Sequence, residues 1–164
     1  MRSFRPARSS DLPDIIDLLA DDDLGATREI VSDPPDARYV AAFAAIEADP
    51  NQLLAVAVNE RDRVVGCLQL TFIPGLSRTG MWRGQIESVR IARDARGSGL
   101  GSDFIEWAVA RCAERGCGLV QLTSDKSRTE SIRFYEKLGF VASHQGLKRA
   151  VQTYFNLPII DASG

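Results

Sequence analysis

The stretch Arg93-Asp94-Ala95-Arg96-Gly97-Ser98-Gly99-Leu100-Gly101-Ser102 decides how the chain is read. It lies between a run with strand character, Trp82 to Ala92, and a run with helical spacing, Ser102 to Arg115. Glycines at alternate positions allow positive φ and let a ligand come close to the backbone. Successive amides in such a turn form a concave anion site, and the positive end of the following helix adds to it. Arg90, Arg93 and Arg96 against Asp94 give the segment a local charge of +2 in a chain of net charge -2. The pattern predicts a pyrophosphate cradle. The structural alternative is a turn whose glycines only permit tight strand–helix packing.

Two familiar phosphate loops do not fit. A Walker loop needs Lys and then Ser or Thr after its last glycine, and Gly101 is followed by Ser102-Asp103. The dinucleotide fingerprint needs glycine where Ser102 stands, and too little chain follows Arg96 for a complete dinucleotide-binding domain.

Working outward, residues 2–6 read as a strand, and Ser10-Asp11 with Pro13 starts a helix that ends near Asp21-Asp22-Asp23. Asp36 to Ala48 reads as a second helix with Tyr39, Val40, Phe43 and Ile46 inward. Gln52 to Val58 and Val64 to Ile73 read as strands around the charged turn 59–63. Strict alternation along Trp82 to Ala92 puts Gln85, Glu87, Val89 and Ile91 on one face and Ile86, Ser88 and Arg90 on the other. Leu119 to Thr123 follows as a strand and Thr129 to Leu138 as a helix stopped by Gly139. Phe140 to Ser143 and Arg149 to Phe155 are predicted to pair as a closing hairpin. The expected architecture is one α/β domain over residues 1–164, whose clear parallel crossover is strand 82–92, helix 102–115, strand 119–123.

A chain of 164 residues suits one domain with a full hydrophobic core. With 45% hydrophobic and 26% charged residues it is neither disordered nor collagen-like. Near-neutral charge argues against nucleic-acid binding. Among 20 cations only Lys126, Lys137 and Lys148 are lysines, and arginine is the better bidentate phosphate partner. Cys67, Cys112 and Cys117 with one histidine, His144, make neither a disulfide framework nor a zinc set, so no metal is expected. The start Met1-Arg2-Ser3-Phe4-Arg5 has no apolar signal core, and no apolar run is long enough to span a membrane; a cytoplasmic location is the expectation.

The loop Arg96-Gly97-Ser98-Gly99-Leu100-Gly101 resembles the phosphate motif Q/R-x-x-G-x-G/A of the GNAT superfamily of acetyl-CoA-dependent N-acetyltransferases. Ser131-Ile132-Arg133-Phe134-Tyr135-Glu136-Lys137-Leu138-Gly139-Phe140 is similar to that family's second signature, an aromatic-Tyr-Glu-x-Leu-Gly-Phe string ending a helix. Phe4 to Asp11 looks like its first strand and helix start, so the resemblance covers essentially the whole chain. Small stand-alone bacterial members are the most similar.

The resemblance implies a GNAT-like fold: a mixed, mostly antiparallel sheet of about six to seven strands flanked by about four helices. Leu70 to Phe72 and the Phe155 strand are candidates to support a homodimer. The resemblance implies that the amides of Gly97, Ser98, Gly99, Leu100, Gly101 and Ser102, with Arg96 and Arg90, hold CoA phosphates. The main chain of Val89 and Ile91 would pair with the pantetheine arm like an added strand. Ser131, Phe134 and Arg128 are further cofactor-binding candidates, although many members have Asn at 128 and Ala at 131. Glu87 would be the general base and Tyr135 the acid for the leaving thiolate. Some relatives keep the base on the next strand, where Gln121 and Thr123 are not basic.

Such chemistry needs that pair. A lysine-like amine, with a pKa of ~10.4, must lose a proton before it attacks. The implied function is acetyl transfer from acetyl-CoA to a primary amine of a small molecule or peptide, by direct attack in a ternary complex. The alternatives are a GNAT-like CoA-binding sensor without turnover and another phosphate-ligand protein. Asp21-Asp22-Asp23 is either a solvated run or an attractor for a cationic acceptor. Trp82 and Phe72 are candidates for the acceptor pocket or for plain core.

Overall fold

The computed structural model describes residues 2–22, 25–149 and 151. The chain divides into two compact units, Met1–Leu122 and Thr123–Gly164. The first holds β1 (Ser3–Pro6), a 3-10 turn (Ser9–Asp11), α1 (Leu12–Ala20), α2 (Ala37–Ala48), β2 (Gln52–Val58), β3 (Val64–Ile73), the single turn α3 (Ser77–Gly80), β4 (Trp82–Ile91), a second 3-10 turn (Arg93–Ala95), α4 (Leu100–Glu114) and β5 (Cys117–Leu122). Its sheet runs β1-β2-β3-β4-β5, antiparallel at each interface except the parallel β4–β5 pair. The second unit holds α5 (Thr129–Lys137).

The sheet therefore has five strands among the described residues, not six to seven. The predicted closing hairpin accounts for the difference. Gly139 takes φ 85 and ends α5 in the left-handed conformation. Ser143 N–H then bonds back to the Val141 carbonyl at 2.8 Å, a tight local turn that leaves 140–143 outside any ladder. Most of the expected partner, Arg149 to Phe155, lies outside the described residues. The α/β class and the mixed, mostly antiparallel sheet are as expected.

Each face of the sheet is covered for a reason legible in the side chains. On one face, Ile15 and Leu18 of α1 pack on Val56, Val58, Val64 and Cys67, while Leu12 and Ile16 meet Phe43 of α2. Val40 of α2, expected inward, is 50% exposed. Asp11 fixes the entry to α1. Its carboxylate accepts from Arg5 Nη1 and Nη2 at 2.6 and 3.0 Å and from the Arg8 amide at 2.7 Å.

The opposite face carries Ala55, Ala57, Leu68 and Leu70, all fully buried. Against it lies α4, through Leu100, Phe104, Ile105, Ala108 and Cys112. Phe104 stacks on Phe4 with ring centroids 4.9 Å apart. Gly84 lets the helix approach β4: a Cβ there would stand 2.3 Å from Cys112 Sγ. That contact holds the C-terminal part of α4 against the first half of β4. Among the described residues no helix is long and apolar enough to cross a membrane.

Candidate functional site

Strand β4 is regular only up to Glu87. Gln69 of β3 faces Glu87, but Cys67 faces Arg90. Ser88 and Val89 together oppose Leu68, which makes a β-bulge, with Ser88 at φ 55. The extra residue shifts the alternation by one. Glu87 and Arg90 consequently share the α1 face, and Ile91, opposite Gly66, joins Ile86 on the α4 face. The strict alternation expected from the sequence is corrected accordingly. Glu87 and Ser88 are exposed.

The bulge coincides with a change at the strand's other edge. β5 pairs with β4 only from Trp82 to Ile86. From Glu87 to Ile91 the described residues provide no strand on that side. The Ala92 amide bonds inward to Val65 O at 2.9 Å. By alternation, the main-chain groups of Ile91 and Val89 point outward. Their carbonyls accept from Arg96 Nε at 3.0 Å and from Arg90 Nη1 at 2.8 Å. An extended ligand can add at this edge by exchanging those bonds.

Immediately beyond, Gly97 and Gly99 adopt φ 71 and φ 82, and no atom lies within 4 Å of a Cβ built on either. These two positions require glycine for conformation rather than for packing. The Ser98 hydroxyl donates to Ala95 O at 2.6 Å, and Arg2 Nη1 donates to Ser98 O at 2.9 Å, which pins the loop from two sides. The first amide to bond back is Asp103, to Gly99 O at 3.1 Å. No backbone hydrogen bond among the described residues uses the amides from Gly97 to Ser102. Six consecutive amides free of backbone partners at a helix N-terminus are suited to an anion.

The formal +2 of this region is partly offset, since two of its arginines face carboxylates while Asp94 is itself engaged by Arg63. Arg93 Nε lies 2.8 Å from Asp21 Oδ1, Arg90 Nη2 lies 3.4 Å from Asp22 Oδ2, and Arg63 Nη2 lies 2.6 Å from Asp94 Oδ2. Asp21 and Asp22 thus tie the end of α1 to β4 and the loop, and do not stand as a free acidic run; Asp23 lies outside the described residues. Backbone amides are the main positive element of the cradle, with Arg96 bound to main chain rather than to a carboxylate.

Sequence reasoning missed a polar row on the α1 face. Gln52 Oε1 accepts from Gln69 Nε2 at 2.9 Å and from Thr71 Oγ1 at 3.0 Å. Gln121 Nε2 donates to Gln85 Oε1 at 2.7 Å. The register puts Gln69 beside Glu87 and Thr71 beside Gln85. Four strands thus contribute amides and a hydroxyl beyond the apolar cover that α1 supplies over Val56, Val58, Val64 and Cys67. The available signal was glutamine and threonine at alternate strand positions.

In the second unit, Arg128 is the N-cap of α5 and Ser131, Phe134 and Tyr135 are half-buried on it. The Tyr135 ring meets Phe134 and Phe140 edge-on, with centroids 5.1 and 5.8 Å apart. The Phe140 amide bonds to Tyr135 O at 3.1 Å. The signature string therefore holds the Tyr135 ring between two aromatic neighbours. His144 is exposed, with Nδ1 2.8 Å from Ser143 Oγ. Glu87, Val89, Arg90, Ile91 and the residues from Arg96 to Ser102 all belong to the first unit.

Over residues 13–140 the chain matches the model of the acetyltransferase (GNAT) family. It is 29% identical over 109 residues to aminoalkylphosphonate N-acetyltransferase of Salmonella typhimurium, covering 66% of this chain and 70% of that one. It is 36% identical over 86 residues to glucosamine 6-phosphate N-acetyltransferase of Trypanosoma brucei brucei, covering 52% of this chain and 56% of the relative. Among solved structures, a transcriptional regulator from Bacillus halodurans C-125 superposes with a TM-score of 0.88 at 48% identity, over 92% of this chain and 99% of that chain.

Proposed function

The chain belongs to the acetyltransferase (GNAT) family, and from that premise we propose that it transfers an acetyl group from acetyl-CoA to a primary amine of a small molecule. The observation that carries this is the run of amides from Gly97 to Ser102, left without backbone partners at the N-terminus of α4. They are suited to a pyrophosphate, with Arg96 at the loop's entrance. The bare edge of β4 beside them suits an extended pantetheine-like arm along Val89 and Ile91. Two of the curated relatives are named for an aminoalkylphosphonate and for glucosamine 6-phosphate.

Acetyl-CoA supplies an activated thioester. Glu87 takes the proton from the acceptor ammonium, directly or through one water, so that a neutral amine attacks. An outward amide of β4 near Val89 donates to the oxygen on which negative charge develops. The Tyr135 hydroxyl gives its proton to the departing thiolate, whose ordinary pKa is ~8.5 by analogy with cysteine. Direct attack needs no enzyme nucleophile. Cys67 and Cys112 are poorly suited in any case, because burial pushes their thiols up to about 12 and about 11. Arg128, Ser131 and Phe134 remain candidates for further cofactor contacts from the second unit, and the whole chain acts as one catalytic domain.

The test is thiol release from acetyl-CoA with a panel of phosphorylated and plain amines. Glu87→Gln and Tyr135→Phe are each expected to lower kcat by about a hundredfold or more, the range of general acid–base catalysis, with acetyl-CoA affinity by calorimetry within threefold. Unchanged kcat would refute the two roles. Tight acetyl-CoA binding with no turnover on any amine would favour a sensing module instead.

A further inference from the structure

We propose that Arg83 anchors an oxyanion on the acetyl acceptor, and that the natural acceptor is a polar primary amine carrying a phosphate or carboxylate at its far end. The inference rests on the acetyl-transfer reading and adds the substrate class. Arg83, Gln85 and Glu87 precede the bulge and alternate on one face of β4, opposite Ile73, Thr71 and Gln69. Arg83 therefore belongs to the same face as the polar row and the proposed base. Its guanidinium lies over the β3–β4 connection, where a Cβ on Gly75 would stand 3.8 Å from Nη1.

Arg83 is half-buried, yet among the described residues it has no hydrogen bond, ion pair or ring contact. The comparison with other half-buried arginines is direct. Arg5 is paired with Asp11, Arg90 with Asp22, and Arg111 with Glu114. A partly desolvated guanidinium without a counter-charge is unfavourable, and the usual remedy is an anion. None of the described residues supplies that anion, so the acceptor is the candidate to bring it.

The floor between Arg83 and Glu87 has the matching chemistry. Gln85 uses its Oε1 toward Gln121 and keeps both N–H groups, while Gln69 keeps its Oε1. Hydroxyl or amide groups of a polar ligand can satisfy them, whereas an alkyl body would bury them unpaired. Four residues of strand separate the two charged ends by ~13 Å at Cα, a span that both flexible side chains shorten. An amine held at Glu87 thus leaves an oxyanion within reach of Arg83, while Arg90, the other basic residue of β4 on that face, is engaged by Asp22.

The experiment compares kcat/KM for matched pairs: glucosamine 6-phosphate against glucosamine, 6-aminohexyl phosphate against 6-aminohexanol, and 6-aminohexanoate against hexylamine. The unsubstituted protein is expected to favour the anionic member by about ten- to a hundredfold, the effect of one charge-assisted contact. In Arg83→Gln that ratio is expected to fall to within threefold of unity, and Arg83→Lys should keep most of it. A preference confined to the phosphates identifies a phosphate site; one shared by the carboxylate identifies a general oxyanion site. Absence of any preference, or a preference that survives Arg83→Gln, overturns the proposal. Should no amine be acetylated, the acetyl-transfer reading fails. Calorimetric titration of glucosamine 6-phosphate into the CoA-saturated protein then decides the anchor separately. Binding lost in Arg83→Gln supports it, and absent or unchanged binding overturns it.

Discussion

The close approach of α4 to β4 at Gly84 makes a quantitative test of how the two elements are held together. Replacing Gly84 by alanine would put a Cβ 2.3 Å from Cys112 Sγ, 3.2 Å from Cys112 Cβ and 3.8 Å from Val120 Cγ2. Non-bonded carbon contacts are favourable near 3.5–4.0 Å, so the helix or the thiol must move by more than an ångström. The thiol cannot swing to solvent, because Cys112, Ala108, Ile105 and Phe104 are all fully buried. Overpacking of a well-filled core costs about 1–3 kcal/mol, and this site belongs at the upper end. At about 2–4 °C per kcal/mol for a chain of this length, Gly84→Ala should lower Tm by roughly 6–12 °C. Cys112→Ala alone removes one buried sulfur and should cost about 1 kcal/mol. In the double variant the new methyl occupies the place of the deleted sulfur. It should therefore be no worse than Cys112→Ala, a coupling of about 2–3 kcal/mol where independent sites would add. Urea unfolding followed by circular dichroism, at constant m, measures all three. A Gly84→Ala variant within 0.5 kcal/mol of the parent, or a double variant whose losses add, would refute this account of the β4–α4 contact.

Two further outcomes follow from named groups. Hydrogen bonds from Arg5 hold the Asp11 carboxyl below its ordinary value, against the opposing effect of burial. A depressed folded pKa contributes stability that is present above the unfolded value of ~3.9 and is lost as pH falls through the folded one. Asp11→Asn should therefore cost about 2 kcal/mol at pH 7, with the difference shrinking below pH ~4; a pH-independent difference would refute the ion-pair account. In native protein a disulfide reagent should find Cys117, which is partly exposed, before Cys67 and Cys112, whose thiols are buried. Fast reaction of all three at pH 7 would contradict the packing around α4.

The loop and the signature string were readable because their chemistry is local. Glycine at 97 and 99 announces positive φ whatever surrounds it, and Gly116 and Gly139, at φ 81 and 85, end their helices where the sequence put the stops. The β4 faces were not readable past Glu87. A bulge at a serine has no compositional mark, and one extra residue inverts every later assignment. The charge of the cradle was overestimated for a different reason. Ion pairs such as Arg90–Asp22 join positions far apart in sequence, so a local sum cannot register them. The glutamine row escaped notice because its meaning lies in the cross-strand register of β2, β3, β4 and β5, which no single segment carries. The strand expected at Phe140 to Ser143 is not formed among the described residues, because the sequence after Gly139 is compatible with a local turn as well as with a strand; most of its expected partner lies outside those residues.

The half-strand from Glu87 to Ile91 also bears on how the protein behaves at high concentration. A strand edge is a template for any extended chain, including a neighbouring molecule of the same protein, and such edges seed self-association. Here the outward carbonyls of Val89 and Ile91 are already engaged by Arg90 and Arg96, and the bulge at Ser88 twists the edge away from flatness. On the proposed acetyl-CoA reading, the two arginines are removable placeholders: a cofactor that brings phosphates to the loop beside them would compensate for the exchange, and a stray strand would not. On that proposal the same few hydrogen bonds separate ligand from aggregate, and residues that a purely catalytic account would assign to cofactor binding alone also guard the strand edge.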